Sequence, residues 1–188
     1  MSKPKGIVFD QSWRRLTHIE PCSISDVDSF IKSHYLRKRP AITQLCMRLL
    51  FIGSPMGCIV YSSAPRESNV RYGGKVWELA RLYLVDAMPT NSETWFIAKS
   101  VRHIRRHHRD VDVLVSYADP SVGHSGTIYR AAGWQQDGMT DDERKSPRVD
   151  LVDAQTGKKF GRWGNVPKGT VVLRVPRVSK PRFILRLK

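Results

Sequence analysis

One stretch restricts the fold more than any other. Val76–Val85 (VWELARLYLV) is apolar on both faces, broken only by Glu78 and Arg81, as in a strand from the interior of a sheet. Downstream, Phe96, Ile97, Val101 and Ile104 fall on one helical stripe, and Lys99, Arg102, Arg105, Arg106 and Arg109 fall largely on the other. Thr90-Asn91-Ser92-Glu93 has capping-box spacing at the start of that helix. Val111–Tyr117 (VDVLVSY) then returns as a second strand. Strand, helix, strand over residues 76–117 is a crossover unit, so the two strands are expected to be parallel in one sheet. An arginine inside such a strand needs a partner or a site to face. Glu78, three residues away, is expected on the opposite face and so to reach Arg81 only across neighbouring structure.

The rest of the chain reads as additions to this unit. Ser25-Asp26-Val27-Asp28 offers an N-cap serine and first-turn acids, and Val27, Phe30, Ile31 and Tyr35 keep helical spacing. A helix is expected there, stopping before Pro40, with His34 near its end. Met47–Ile52 and Cys58–Tyr61 suggest a hairpin across Gly53–Gly57, longer than a two-residue turn. Residues 62–75, with Pro65 and Gly73-Gly74, read as a loop. After a charged loop at Met139–Arg148, further strands are expected at Thr170–Val175 and Arg182–Leu187. The expected fold class is α/β (α+β): one domain with a mixed central sheet and flanking helices over residues 1–150. A basic, β-rich extension at residues 151–188 packs on it.

Chemistry concentrates just after the second strand. Ser116, Tyr117, Asp119, His124 and Tyr129 lie close together in Leu114–Gly138, where the strand breaks at Ala118-Asp119-Pro120 and a short helix restarts beyond Gly123-His124-Ser125-Gly126. The carboxyl end of a strand is where α/β sheets place ligands. Thirty-two Lys and Arg against 17 Asp and Glu give a net charge of +15, and residues 158–188 hold ten of those cations and no acid. Such clustering points to a polyanionic partner. Cys22, Cys46 and Cys58 form no C-x-x-C and leave an odd count, so buried thiols are expected rather than a disulfide framework. Neither a signal-peptide core nor an 18-residue apolar span is visible, which gives a cytoplasmic expectation.

The crossover followed by Ile128-Tyr129-Arg130-Ala131-Ala132-Gly133-Trp134 resembles the C-terminal half of GNAT acyltransferases, in which such a tyrosine stands beside the donor's leaving group. In that fold a glycine-rich turn cradles the pyrophosphate of coenzyme A. Here the corresponding stretch, Asp86–Glu93, has no glycine, and Glu93 opposes an anion at the helix start, so a coenzyme A thioester is not the expected donor. A more specific likeness runs through WELARLYLVD (77–86), PTNSET (89–94), VSYADP (115–120) and GHSGTIY (123–129), and more weakly through His34-Tyr35-Leu36. This pattern resembles the Mom family of phage DNA-modification proteins. The resemblance implies a GNAT-like enzyme that converts adenine N6 in double-stranded DNA to its carbamoylmethyl (acetamido) form, shielding phage DNA from restriction in the host cytoplasm. It puts functional positions at His34, Arg81, Asp119 and Tyr129, and associates iron with the family. The donor of the two-carbon unit, small-molecule or carrier-bound, is left open.

Adenine N6 is a weak nucleophile, so the reaction needs an acceptor for its proton and an activated donor. Asp119 suits the amine, Tyr129 an acid, and Arg81 an anionic donor. In duplex DNA the base must be flipped out, with Tyr117, Trp95 or Trp134 available to stack on it. Ser116, Tyr117 and Ser92 are candidate substrate-binding residues, and Arg102, Arg105 and Arg106 candidate phosphate contacts. His34, Asp119 and His124 also have the composition of a two-histidine, one-carboxylate iron site. His103 and His107 stand four apart, but among arginines that disfavour a metal cation. Ser116, His124 and Asp119 lack the nucleophile elbow of a hydrolase triad. Two alternatives stand beside the DNA-modifying reading. One is an ordinary N-acetyltransferase; the other is a non-enzymatic nucleic-acid-binding protein.

Overall fold

The computed structural model describes residues 13–142, 145–146, 148–160 and 166–188. The segment read for a leader, residues 1–12, and parts of the charged loop and basic tail lie outside these residues. Ten strands are described: β1 (Thr17–Pro21), β2 (Thr43–Phe51), β3 (Ser54–Ser63), β4 (Val76–Leu84), β5 (Val113–Tyr117), β6 (Gln135–Met139), β7 (Val149–Asp153), β8 (Lys159–Phe160), β9 (Val172–Pro176) and β10 (Pro181–Arg186). Seven form one sheet in the order β1-β2-β3-β4-β5-β10-β6, and β8-β7-β9 form a second. Four α-helices accompany them, α1 (Asp28–Ser33), α2 (Arg66–Tyr72), α3 (Ser92–His107) and α4 (Thr127–Ala131), with short 3-10 helices at Ile24–Val27 (the first helical segment) and Pro120–Val122. None of the described helices is long and apolar enough to cross a membrane.

The crossover forms as expected: β4 and β5 are parallel, while every other pair in the main sheet is antiparallel. α3 lays Phe96, Ile97, Val101 and Ile104 on one sheet face, among Tyr61, Trp77, Leu79 and Leu114. On that face the Tyr61 hydroxyl meets Ser100 Oγ at 2.7 Å. On the other face, Val27 and Ile31 from the α1 region cover Cys46, Cys58 and Val60. The cysteines are free thiols there.

Local expectations fail where the backbone uses geometry that the residue pattern does not announce. The first hairpin is tight: Ile52 and Gly53 have φ of 49° and 76°, the two positive angles of a type I′ turn, and Phe51 pairs directly with Ser54. The serine cap at the first helical segment is Ser23, not Ser25, reciprocated by Asp26. Tyr35 lies beyond α1, which stops at His34. The stretch at 62–75 is not all loop, because α2 occupies Arg66–Tyr72 and ends on Gly73 at φ 66°. The capping box expected at Thr90–Glu93 does not form. Asn91 caps α3 in the left-handed region with no side-chain bond, and Ser92 turns inward.

Two departures from regularity create the site. Between Val60↔Arg81 and Tyr61↔Leu79 the register slips, leaving Ala80 as a bulge. The extra residue places Glu78 and Arg81 on the same face, which overturns the parity expectation. Beyond the bulge β4 no longer follows β5: their parallel pairing covers only Val76–Glu78 against Val113–Val115. Ser116 holds the point of divergence, its hydroxyl donating to the Leu79 carbonyl at 2.9 Å.

β10 lies between β5 and β6, pairing Arg182–Arg186 with Tyr117–Val113 on one side and bonding β6 on the other. The small sheet is inserted in sequence between β6 and β10. Its face bearing Asp150, Lys159 and Val175 turns toward the splayed strand ends.

Candidate active site

A cleft of about 1260 Å³ opens where β4 and β5 part. Its walls include the turn after α1, α2, the ends of β4 and β5, the start of α3, the 119–129 connection into α4, the end of β6, and the small sheet with β10. His34, Arg81, Asp119 and Tyr129, separate in sequence, all line it. Tyr117 and His124 do so as well.

His34 is held by geometry in one protonation state. It caps the C-terminus of α1, only 8% exposed, and its Nδ1 accepts from the Leu36 backbone N–H at 3.1 Å. Burial first, and then the charges of Arg81 and His124, depress its pKa to about 4. At neutral pH the ring is uncharged, and with Nδ1 occupied as an acceptor its proton sits on Nε2. Arg81 donates from Nε to the Lys38 carbonyl at 2.9 Å and from Nη1 to the Ala80 carbonyl at 2.6 Å. Burial lowers its pKa against an opposing pull from Glu78, yet a guanidinium stays charged. Burial likewise raises the carboxyl of Glu78, with Arg81 and Lys180 pulling it back.

Asp119 is 6% exposed and heavily bonded. Its Oδ1 accepts from the Ser121 backbone at 3.1 Å and from the Ser121 hydroxyl at 2.6 Å, and Oδ2 meets Lys180 Nζ at 2.5 Å. Burial pushes its pKa up, but the Lys180 ammonium and Ser121 outweigh that and hold it below the ordinary carboxylate range. Asp119 is therefore a fixed anion rather than a strong base. Tyr129 packs among Trp134 and Phe183, with ring centroids 5.5 and 5.3 Å away. Burial raises its phenol to about 12, so it reaches the cleft protonated. Gly126, at φ 80°, lets α4 start against the Phe183 ring. Burial raises the pKa of Tyr117 too.

Other expected site residues lie apart. Ser116 is buried behind the cleft as the brace described above. Ser92 is wholly buried, with its hydroxyl on the Pro89 carbonyl at 2.6 Å. Arg102, Arg105 and Arg106 are exposed on α3 and line none of the cleft. Three residues of the cleft had no role assigned from sequence. Glu78 is turned inward by the bulge. Lys180 arrives from a distant loop. Tyr35 packs its ring 5.3 Å from His124 and 4.4 Å from His34. Only spatial neighbourhood marks them, because each acts across strands or loops remote in sequence.

The residues do not fit the iron site. Among the described residues no three of His, Cys, Asp and Glu gather as a metal-binding group, so the His34, Asp119 and His124 triad is not assembled. Asp119 already meets the Lys180 ammonium through Oδ2, a charge that opposes a metal cation there, and Oδ1 is taken by Ser121. The start of α3 is a poor cradle for a diphosphate, because Asp86 and Glu93 both line the cleft at that end.

In shape the chain is similar to solved N-acetyltransferases. An acetyltransferase of Bacillus subtilis in complex with CoA matches with a TM-score of 0.56 at 9% identity, over 92% of this chain and 99% of that one. An agmatine N-acetyltransferase matches at 0.55 and 9%, over 91% and 99%. The ribosomal-protein-S18-alanine N-acetyltransferase of Escherichia coli matches at 0.53 and 9%, over 92% and 94%. The fold is thus GNAT-like. In sequence, the methylcarbamoylase mom of Escherichia phage Mu is 37% identical over 57 residues, 30% of this chain; the match spans 24% of that protein's length. The model of the Mom protein family matches residues 18–163, a span that contains His34, Glu78, Arg81, Asp119 and Tyr129. With most of the cleft's framework inside that match, the chain belongs to the Mom protein family.

Proposed function

We propose that this chain is a transferase that modifies DNA, placing a carbamoylmethyl group on adenine N6 in the duplex. The observation that carries the reading is the convergence of four groups of complementary chemistry on one cleft: a neutral imidazole, a guanidinium, a fixed carboxylate and a protonated phenol. Transfer needs a bond from N6 to the donor's methylene carbon and loss of the donor's leaving group. Asp119 accepts a hydrogen bond from the amine and orients it. Glu78, whose carboxyl burial has made more basic, takes the N6 proton. Tyr129 protonates the departing group, while Arg81 and the His34 Nε2–H stabilise charge on the donor side. The flipped adenine enters between the splayed strand ends, with Tyr117 at the mouth offering a stacking face. The solvent-facing Arg102, Arg105 and Arg106 serve outlying phosphates.

The test is expression in bacteria followed by digestion of their DNA to nucleosides and mass spectrometry. The expected result is a carbamoylmethyl adduct of deoxyadenosine, absent with Asp119→Asn, Tyr129→Phe and Glu78→Gln. DNA left unmodified by folded protein, both in cells and in host extract, would overturn the reading. Acetyl transfer from acetyl-coenzyme A to small amines would favour an ordinary N-acetyltransferase instead, the reading to which the fold likeness alone lends support.

A further inference from the structure

The small sheet departs from the usual rule that strands cover an apolar side. All five residues of β9 are exposed. Of the twelve exposed large hydrophobic residues described, five fall between 171 and 178: Val171, Val172, Leu173, Val175 and Val178. Single exposed apolar residues need no explanation, but a cluster on one edge strand does. Lys158, Lys159, Lys168, Arg174 and Arg177 alternate with them in sequence; Lys159 lies on the face of Leu173 and Val175, and Arg174, paired with Leu151, on the opposite one. Residues 158–188 as a whole contain ten Lys and Arg and no acid. The register aligns Val152 with Leu173 and Lys159, and Asp150 with Val175, so these share one face. Asp150, Lys159 and Val175 of that face line the catalytic cleft, and Arg177 pairs with Asp150. The apolar and cationic surface therefore continues outward from the site, and Leu173 is its outer apolar residue, 54% exposed.

We propose that the β8-β7-β9 sheet is the DNA-docking arm of the enzyme: Lys158, Lys159 and Lys168 contact phosphates, and Leu173 with Val175 enters the groove against the bases. This inference rests on the reading of duplex DNA as substrate and names the element that holds it. Charge decides the occupant. A second copy of this chain would bring the same cations to the same face, whereas a polyanion neutralises them. Shape agrees, since a β-ribbon fits a DNA groove, and apolar side chains between base steps are a recognised way to open a duplex for base flipping. The arm borders the cleft directly, while the arginines of α3 do not line it.

The two kinds of contact leave different signatures. Phosphate contacts release counterions, about 0.9 in the log–log salt slope for each, whereas apolar contacts release none. Binding of the full chain to a 24-base-pair duplex is measured by fluorescence anisotropy at a series of salt concentrations. The variant carrying Lys158→Gln, Lys159→Gln and Lys168→Gln should lose about 2 to 3 in slope. Leu173→Ser should bind about five- to tenfold more weakly at every salt concentration with the slope unchanged. A control carrying Arg102→Gln, Arg105→Gln and Arg106→Gln should lose less in slope than the arm variant. Circular dichroism and thermal melts check that each variant is folded. If the wild type binds duplex and both arm variants match it, the arm is refuted while the DNA reading stands. If the wild type has no affinity for duplex, the DNA reading itself falls. If the wild type sediments as a dimer that Leu173→Ser dissociates, the face is a self-association surface and the proposal is overturned.

Discussion

Lys180→Met tests the electrostatics of the cleft. The lysine ammonium lies 2.5 Å from Asp119 Oδ2, with side-chain exposures of 29% for Lys180 and 9% for Asp119. Removing one partner of a fully buried pair costs about 3–5 kcal/mol. Here Ser121 still bonds Oδ1 and the lysine side is partly open, so about 2 kcal/mol is expected. For a chain of this size that lowers Tm by about 4–8 °C at pH 7. The pH dependence has a definite sign. In the wild type the Asp119 carboxyl is depressed, so its contribution is present above the unfolded carboxylate value and is lost as pH falls through the folded one. In the variant only Ser121 still opposes burial, so the pKa rises from its wild-type position. Acidification then protonates the stranded group, and the Tm gap to wild type narrows between pH 7 and pH 4. Thermal unfolding of wild type, Lys180→Met, Asp119→Asn and the double variant closes a cycle, in which the double variant is less destabilised than the sum of the singles. Equal melting at pH 7, or a gap independent of pH, would refute the account of Asp119 as a partnered, buried anion.

Three further predictions concern other parts of the site. His34 stays neutral in the fold down to about pH 4 but protonates near pH 6.5 when unfolded, so it removes stability as pH falls through that window, on the order of 2 kcal/mol; His34→Gln should flatten that part of the stability profile in denaturant titrations. Gly126→Ala puts a Cβ 2.2 Å from the Phe183 ring at φ 80°, and should cost at least about 2 kcal/mol in chemical denaturation, whereas Gly133→Ala, at the same φ with open space around it, should cost less. Deleting Ala80 removes the bulge yet keeps Glu78 and Arg81 on their face, because Leu79 and Arg81 already oppose neighbouring residues of β3. The shortened strand should fold with new amide protection from hydrogen exchange around Leu79–Leu82, and form no DNA adduct because the gap between β4 and β5 has closed.

The parts legible in sequence were those governed by local periodicity. A two-faced apolar strand and a helix with one apolar stripe announce β4, α3 and β5 without help from the rest of the chain. Asp119 and Tyr129 could be singled out because they share one short connection. α2 was hidden because its charged sequence, RESNVRY, buries only Ser68, and the glycines after it looked like loop punctuation rather than a helix cap. The bulge at Ala80 carries no glycine, so nothing in WELARLYLV warned that counting by twos would fail. Lys180 and Glu78 were missed for a different reason. Their significance lies in what β10 and the bulge bring beside them, and contacts over such separations leave no local pattern.

The position of β10 bears on how the chain folds. It sits inside the main sheet, yet it follows β6, its neighbour there, in the chain, with the whole small sheet between them. During synthesis β5 and β6 must wait, each with an unpaired edge, until Pro181–Arg186 has emerged and can slide between them. Such long-range pairing is slow and leaves edges open to misassembly. The same insertion delivers Lys180 and Arg182 to the cleft. Closure of the sheet and completion of that wall of the cleft are therefore one event, and a nascent chain with a half-built sheet has only an unfinished cleft.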